Sequence, residues 1–284
     1  MEGKEGLRDI REKIQNEIQL TEEERFVLKK GKFFSALALH VKEALALHKK
    51  EGLWERKEGK RDWGNVSEHC LVEIARVEEF AQLLGVSEQT RKKLVLAAAL
   101  HDYYKRREVE YARTNGKNWA ALDVAGEGSV AGMRETGFSE DVIEIVNSVG
   151  HTSLLKTQGL LKNKKEELNE HQLAYLVMHY VDDYTSGSNW ADPLQQKEDG
   201  TIVNAFDKRM EKNVQNKDYQ IRNEEGRARF DGRTTFDAQY EIGAAVEKRL
   251  AEILSEKTGE VWDPKLIPEK IDARIKERIR AFAQ

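Results

Sequence analysis

Residues 94–107 read LVLAAALHDYYKRR. The first seven form the longest uninterrupted apolar run of the chain, and His101, Asp102, Tyr103, Tyr104, Lys105, Arg106 and Arg107 follow directly. A lone carboxylate at the edge of an apolar core is costly to keep ionised, so Asp102 requires a partner. The candidates are a cation from elsewhere in the protein, a core hydrogen bond, or a metal ion.

Outward from this run the chain reads as helix. All three prolines (Pro193, Pro264 and Pro268) lie beyond residue 190, which leaves the first 192 residues without the strongest helix breaker. Leu7, Ile10, Ile14 and Ile18 fall on one face of a short helix. Thr21 and Glu24 have capping-box spacing before a long helical segment, where Phe33, Leu37, His40, Ala44 and Leu47 form a stripe. His40 is expected in the core, and His48 at the surface or a helix end. Residues 52–64, GLWERKEGKRDWG, read as a loop. Ser67 then caps a helix whose buried seam is Cys70, Ile74, Val77, Ala81 and Leu84. Gly85 ends that helix, and Ser87 caps the one carrying the apolar run. Further helices are expected at about 170–185 and 235–256, with a turn at Asp199-Gly200 between them and a last amphipathic helix after WDPKLIPEK. Strand-like alternation is nearly absent, so the expected fold is all-α. Three parts are expected: N-terminal helices over 1–51, a core over 52–190, and a C-terminal helical extension over 191–284.

Composition narrows the class. Charged residues make up 35% of 284, and no apolar stretch approaches the ~18–20 residues of a membrane span. A single cysteine, Cys70, excludes an intrachain disulfide framework, and the N-terminal MEGKEGLRDIREK has no apolar signal core. A cytoplasmic protein without a membrane partner is the expectation. The net charge of -4 gives no global pull toward nucleic acid.

His69 falls in the first turn of its helix, His101 and Asp102 at the end of the next. His151 closes a third helix, and Asp182 and Asp183 a fourth. Short loops make consecutive helices antiparallel neighbours, so the start of one lies near the end of the next. That brings His69 to the same end of the bundle as His101-Asp102. Two imidazoles with carboxylates suit a borderline divalent metal such as Mn, Fe, Co, Ni or Zn. Such an ion would also keep Asp102 ionised.

The order His…His-Asp…Asp on successive helices resembles the HD superfamily of metal-dependent phosphohydrolases. NVSEHC (65–70) is similar to a region of the HD-type 5′-deoxynucleotidases, and AALHD (98–102) carries the superfamily's doublet. The resemblance covers roughly residues 60–185. It implies an HD-like helical bundle with added N- and C-terminal helices, and metal ligands at His69, His101, Asp102 and Asp182. Asp182 is preferred to Asp183 because a small apolar residue, here Val181, commonly precedes the ligand in that family. His179 is expected to pack or support. The nucleotidases carry Glu three residues after the doublet, where this chain has Lys105, as other branches do. Binuclear members have a further histidine where this chain reads DVAGEGSVAGM, so a single ion is implied; Mg is also within the implied range.

The implied reaction is hydrolysis of a phosphomonoester of a nucleotide or similar small phosphate. A bound divalent ion acidifies a water and polarises a phosphoryl oxygen. Asp102, Lys105 and Arg61 are the candidate catalytic residues, the two cations answering developing charge. Arg61, Lys105, His151 and Trp63 are the candidate substrate contacts, Trp63 through stacking on a base. Arg222, Arg227, Arg229 and Arg233 gather in one segment, read chiefly as salt-bridged surface, with a phosphate clamp as the other reading. The competing function is a nucleotide- or metal-binding sensor without turnover. A homo-oligomer is compatible with the sequence.

Overall fold

Between residues 22 and 184 no proline interrupts the chain, and helix follows helix. The computed structural model describes residues 12–13, 15–16, 19–54, 63–187, 190 and 194–282. The expected stripe of Leu7, Ile10, Ile14 and Ile18, and Arg61, lie outside the described residues. The helices are α1 (Glu22–Ser35), α2 (Leu39–Lys50), α3 (Gly64–Leu84), α4 (Glu88–Leu100), α5 (Lys105–Thr114), α6 (Trp119–Glu135), α7 (Glu140–Val146), α8 (Leu154–Leu161) and α9 (Glu170–Tyr184). A short antiparallel ribbon, β1 (Gln195–Gln196) with β2 (Ile202–Val203), turns at Gly200. Then come α10 (Ala205–Val214), α11 (Gln220–Glu225), α12 (Thr235–Thr258) and α13 (Ile267–Ala281). The fold is all-α.

The apolar run is the centre of this arrangement. The second half of α4, from Leu94, is apolar on every side and has no face to give to water, and α4 accordingly packs against α2, α3, α7 and α9. Leu94, Val95 and Ala97–Leu100 are buried, the three alanines completely. Their small side chains let neighbouring helices approach closely, and one continuous core runs from Val41 on α2 to Ile279 on α13. Where α4 leaves the core, His101 follows as its cap residue.

Local signals set several boundaries. Thr21 and Glu24 form the reciprocal capping box at the start of α1. Gly85 takes φ 62 at the end of α3, a left-handed conformation that favours glycine, and Ser87 Oγ caps α4. Two expectations are corrected. Ser67 is not a cap: α3 begins at Gly64, and the Ser67 hydroxyl inside it donates to His48 Nδ1 at 3.0 Å. The segment before residue 51 is two helices, not one. The break at 36–38 shifts the phase, so that Val41, Ala44 and His48 face inward while His40 is exposed. His48 donates from Nε2 to Ala99 O at 2.8 Å, and burial lowers its pKa to about 4.

The C-terminal helices lock the ends of α3 and α9. Arg76 of α3 is fully buried and makes a forked pair with Asp272 of α13, at 2.8 and 2.7 Å. It also donates to Thr185 Oγ1, just past α9, and stacks over the Tyr184 ring. Removing one partner of a buried pair strands the other charge, so Asp272→Ala should lower unfolding stability by about 3–5 kcal/mol. Chemical denaturation checks this; an unchanged midpoint would show that the pair holds nothing.

Glu269, one turn before Asp272, is the opposite case. Both its carboxylate oxygens are shut off from solvent without a hydrogen-bond partner among the described residues. Burial raises its pKa to about 7; Asp272 and Glu247 push the same way and Lys208 opposes. A carboxyl protonated more readily folded than unfolded costs stability progressively as pH rises from about 4.5 to 7, and fully above that. Glu269→Gln should therefore stabilise the protein at pH 8 and have little effect at pH 4. Equal effects at both pH values in denaturation curves would refute this.

Candidate metal centre

His69 and Glu73 lie one turn apart on the same face of α3. That face meets the C-terminal end of α4, where His101 and Asp102 emerge, and the last turn of α9, which carries Asp182. Ligand atoms of His69, Glu73, His101 and Asp182 all lie within 4.8 Å of one another. Asp102 sits beside them: its Oδ2 is 3.8 Å from His101 Nε2 and 4.0 Å from His69 Nε2.

Backbone carbonyls settle the imidazole tautomers. His69 Nδ1 lies 2.9 Å from Gly187 O, and His101 Nδ1 2.9 Å from Ala98 O. A carbonyl only accepts, so each Nδ1 carries the proton. In the neutral rings each Nε2 then presents a lone pair, and those lone pairs face carboxylates. His69 Nε2 is 3.0 Å from Glu73 and 3.4 Å from Asp182; His101 Nε2 is 3.1 Å from Glu73. Both Glu73 oxygens and His101 Nε2 are buried without a hydrogen-bond partner among the described residues. Acceptors confronting acceptors need a proton or a cation between them.

The electrostatics say the same. Burial opposes the His69 imidazolium, but Glu73 and Asp182 outweigh it and raise the pKa to about 10. Burial likewise opposes the Asp102 and Asp182 carboxylates. Lys105 with the two histidines holds Asp102 well below the usual carboxylate range, and His69 with Arg209 does so for Asp182. The site gathers negative charge and demands positive charge in return.

A divalent ion fits the donor set. Two donors about 2.1 Å from one ion stand about 3.0 Å apart at a right angle and about 3.4 Å at the tetrahedral angle. The separations of Glu73 and Asp182 from the imidazoles, 3.0, 3.1 and 3.4 Å, span that range, and those of Asp102, 3.8 and 4.0 Å, are longer. Backbone-held Nδ1–H groups are also the usual support of metal-ligating histidines. The cluster could hold a metal and is compatible with an HD-type site.

The sequence-derived candidates fall into place unevenly. His69, His101, Asp102 and Asp182 converge. Asp183 turns away: it accepts from Gln239 at 2.8 Å and faces buried His179 at 3.5 Å, while His179 donates to Ser148 O. Lys105 Nζ lies 2.9 Å from Asp102 Oδ1, with its side chain 40% exposed. His151 donates from Nε2 to Gln239 Oε1 at 3.2 Å; burial and then Arg222 lower its pKa to about 3, so its ring is neutral. Trp63 is packed with Leu53 and Val66 in a small cluster apart from the main core, whereas Trp54 is exposed. Glu73 was not anticipated. Its signal was a carboxylate between Val72 and Ile74, on an otherwise apolar seam, one turn from a candidate ligand. Arg209, 3.9 Å from Asp182, comes from α10 and had no sequence signal.

A divalent ion should bind at about one per chain by elemental analysis after dialysis, and a chelator should lower the melting temperature. Glu73→Gln should weaken metal affinity by at least about tenfold. Retention of full affinity would place Glu73 outside the centre, and failure of the unaltered protein to take up any divalent ion would remove the centre itself. No protein-family model matches the chain, and neither a search of curated proteins nor one of solved structures finds a match.

Proposed function

We propose that the protein is a metal-dependent phosphohydrolase of HD type, acting on a phosphomonoester of a nucleotide or similar small phosphate. The observation that carries this reading is the confrontation of two Nε2 lone pairs with three carboxylates at one end of the bundle. It occurs at residues whose order along the chain, His69, His101-Asp102 and Asp182, resembles that superfamily.

In this reading His69, His101, Asp102 and Asp182 hold the ion, and Glu73 closes the set from the buried side. Bound there, a divalent ion supplies Lewis acidity, generating a nucleophile from water and drawing charge from a phosphoryl oxygen. The chain supplies the rest. Asp102 splits its work, one oxygen toward the imidazoles and the other holding Lys105 at 2.9 Å. Asp102 raises the pKa of Lys105, so the ammonium stays charged across the working range. With its side chain only part-covered, Lys105 can reach a phosphoryl oxygen and answer the charge that grows during displacement. His151, neutral with its one N–H donated to Gln239, offers Nδ1 as an acceptor for a substrate hydroxyl. Arg61 remains a proposed second cation.

A panel of phosphate esters, assayed with and without chelator, tests this. Phosphate release should require the metal and disappear in Asp102→Ala. Lys105→Ala should lower kcat by about a hundredfold while metal content stays at the unaltered level. Metal binding without release from any ester would sink the hydrolase and favour the sensor.

A further inference from the structure

Four arginines crowd residues 222–233, and the structure separates them. Arg227 pairs with Glu224 at 3.0 Å, Arg229 with Asp123 at 2.5 Å, and Arg233 with Glu241 at 2.5 Å. Arg222 makes no ion pair among the described residues; nearby Asp218 is taken by Lys117 at 2.7 Å. Its Nε is shut off from solvent without a hydrogen-bond partner among the described residues, and its guanidinium lies over the Tyr219 ring at 4.0 Å. Burial disfavours the charged guanidinium, and Tyr219 and Asp218 offset that only in part, so an anion meeting it would be stabilising.

Its backbone is held firmly. Arg222 O accepts from the Trp119 indole at 2.8 Å and from Thr235 Oγ1 at 2.7 Å, which ties α11 to α6 and α12. Contacts then lead from Arg222 to the metal centre. The Tyr219 ring meets His151 edge-on at 6.4 Å. His151 bonds Gln239, and Gln239 bonds Asp183, the neighbour of Asp182. The charges of Arg222 and Lys105 both act on His151, and Asp182 acts on it in the opposite sense. Two cations therefore share the neighbourhood of one neutral imidazole, one beside the proposed ion and one farther along the chain of contacts.

We propose that Arg222, presented on Tyr219 beside His151, is an anion subsite for a second phosphate of the substrate, so that the preferred substrate carries two phosphoryl groups. Lys105 meets the reacting phosphoryl group and Arg222 the other. The planar guanidinium fork suits phosphate oxygens. The proposal rests on the phosphohydrolase reading for which group reacts, but the subsite can be tested by binding alone.

The probes are inorganic phosphate and inorganic pyrophosphate, titrated calorimetrically into the full chain loaded with Mn²⁺. The unaltered protein should bind pyrophosphate at least about tenfold more tightly than phosphate. Arg222→Gln should erase that preference and leave phosphate affinity within about twofold, while Arg229→Gln keeps the preference, its arginine being ion-paired already. Should the glutamine variant not fold, Arg222→Lys decides, since an ammonium cannot make the forked contact and the preference should fall. Equal binding of the two anions by the unaltered protein, no binding of either, or an undiminished preference without the Arg222 guanidinium overturns the subsite. An Arg222-dependent preference in a protein that releases phosphate from no ester leaves the subsite standing and removes the hydrolase.

Discussion

Two imidazole nitrogens aimed at carboxylates, in a largely buried site, are the constraint on which this structure turns. Neither partner can donate to the other while both hold their ordinary charge at neutral pH. Leaving such groups unmatched in the interior would cost several kcal/mol. The backbone enforces the confrontation, because Ala98 O and Gly187 O each fix a proton on the far side of a ring. A cation at the centre turns the mismatch into coordination, and a proton is the weaker substitute.

Everything that holds the three helix ends in place serves that centre. His48 ties α2 to the last turn of α4 and to Ser67, two residues before His69. Arg76, one turn beyond Glu73, is gripped by α13 and also holds Thr185, just past Asp182. Arg209 of α10 donates to the carbonyl of the same Thr185. The C-terminal helices are thus braces on the site as well as extra core. The ends of α4 and α9 also bring the negative ends of two helix dipoles toward the centre, which increases its demand for positive charge.

How much of this was legible depends on which physical signal each residue carried. The apolar run and the doublet after it were plain, because a helix apolar all round can only be internal and the polar pair marks where it leaves the core. Antiparallel neighbours then implied that His69 meets His101. Asp182 and Asp183 could not be separated by periodicity; the helix orientation did that, turning one to the imidazoles and the other to Gln239. Glu73 was hidden inside a good apolar seam, where an acidic residue reads as a blemish unless its distance from His69 is counted in turns. The exchange of roles between His40 and His48 had a different origin. The break at 36–38 contains neither proline nor glycine, so nothing local announced it, and a phase carried across it points the wrong residue inward. The braces were illegible for a third reason: Arg76 and Asp272 are 196 positions apart and meet only through tertiary packing.

Charge accounting links the centre to its proposed substrate. Glu73, Asp102 and Asp182 bring three carboxylates to the centre, and without an ion they hold one proton on His69, whose pKa they raise. By itself that set repels phosphate. A divalent ion together with Lys105 offsets all three, and Arg209 beside Asp182 leaves the surroundings positive. Filling the centre therefore makes the field that an approaching anion meets more positive, at the short separations where Coulomb energies are largest. In the proposed enzyme the ion would favour capture of the phosphate, because it offsets the same carboxylates that oppose an anion.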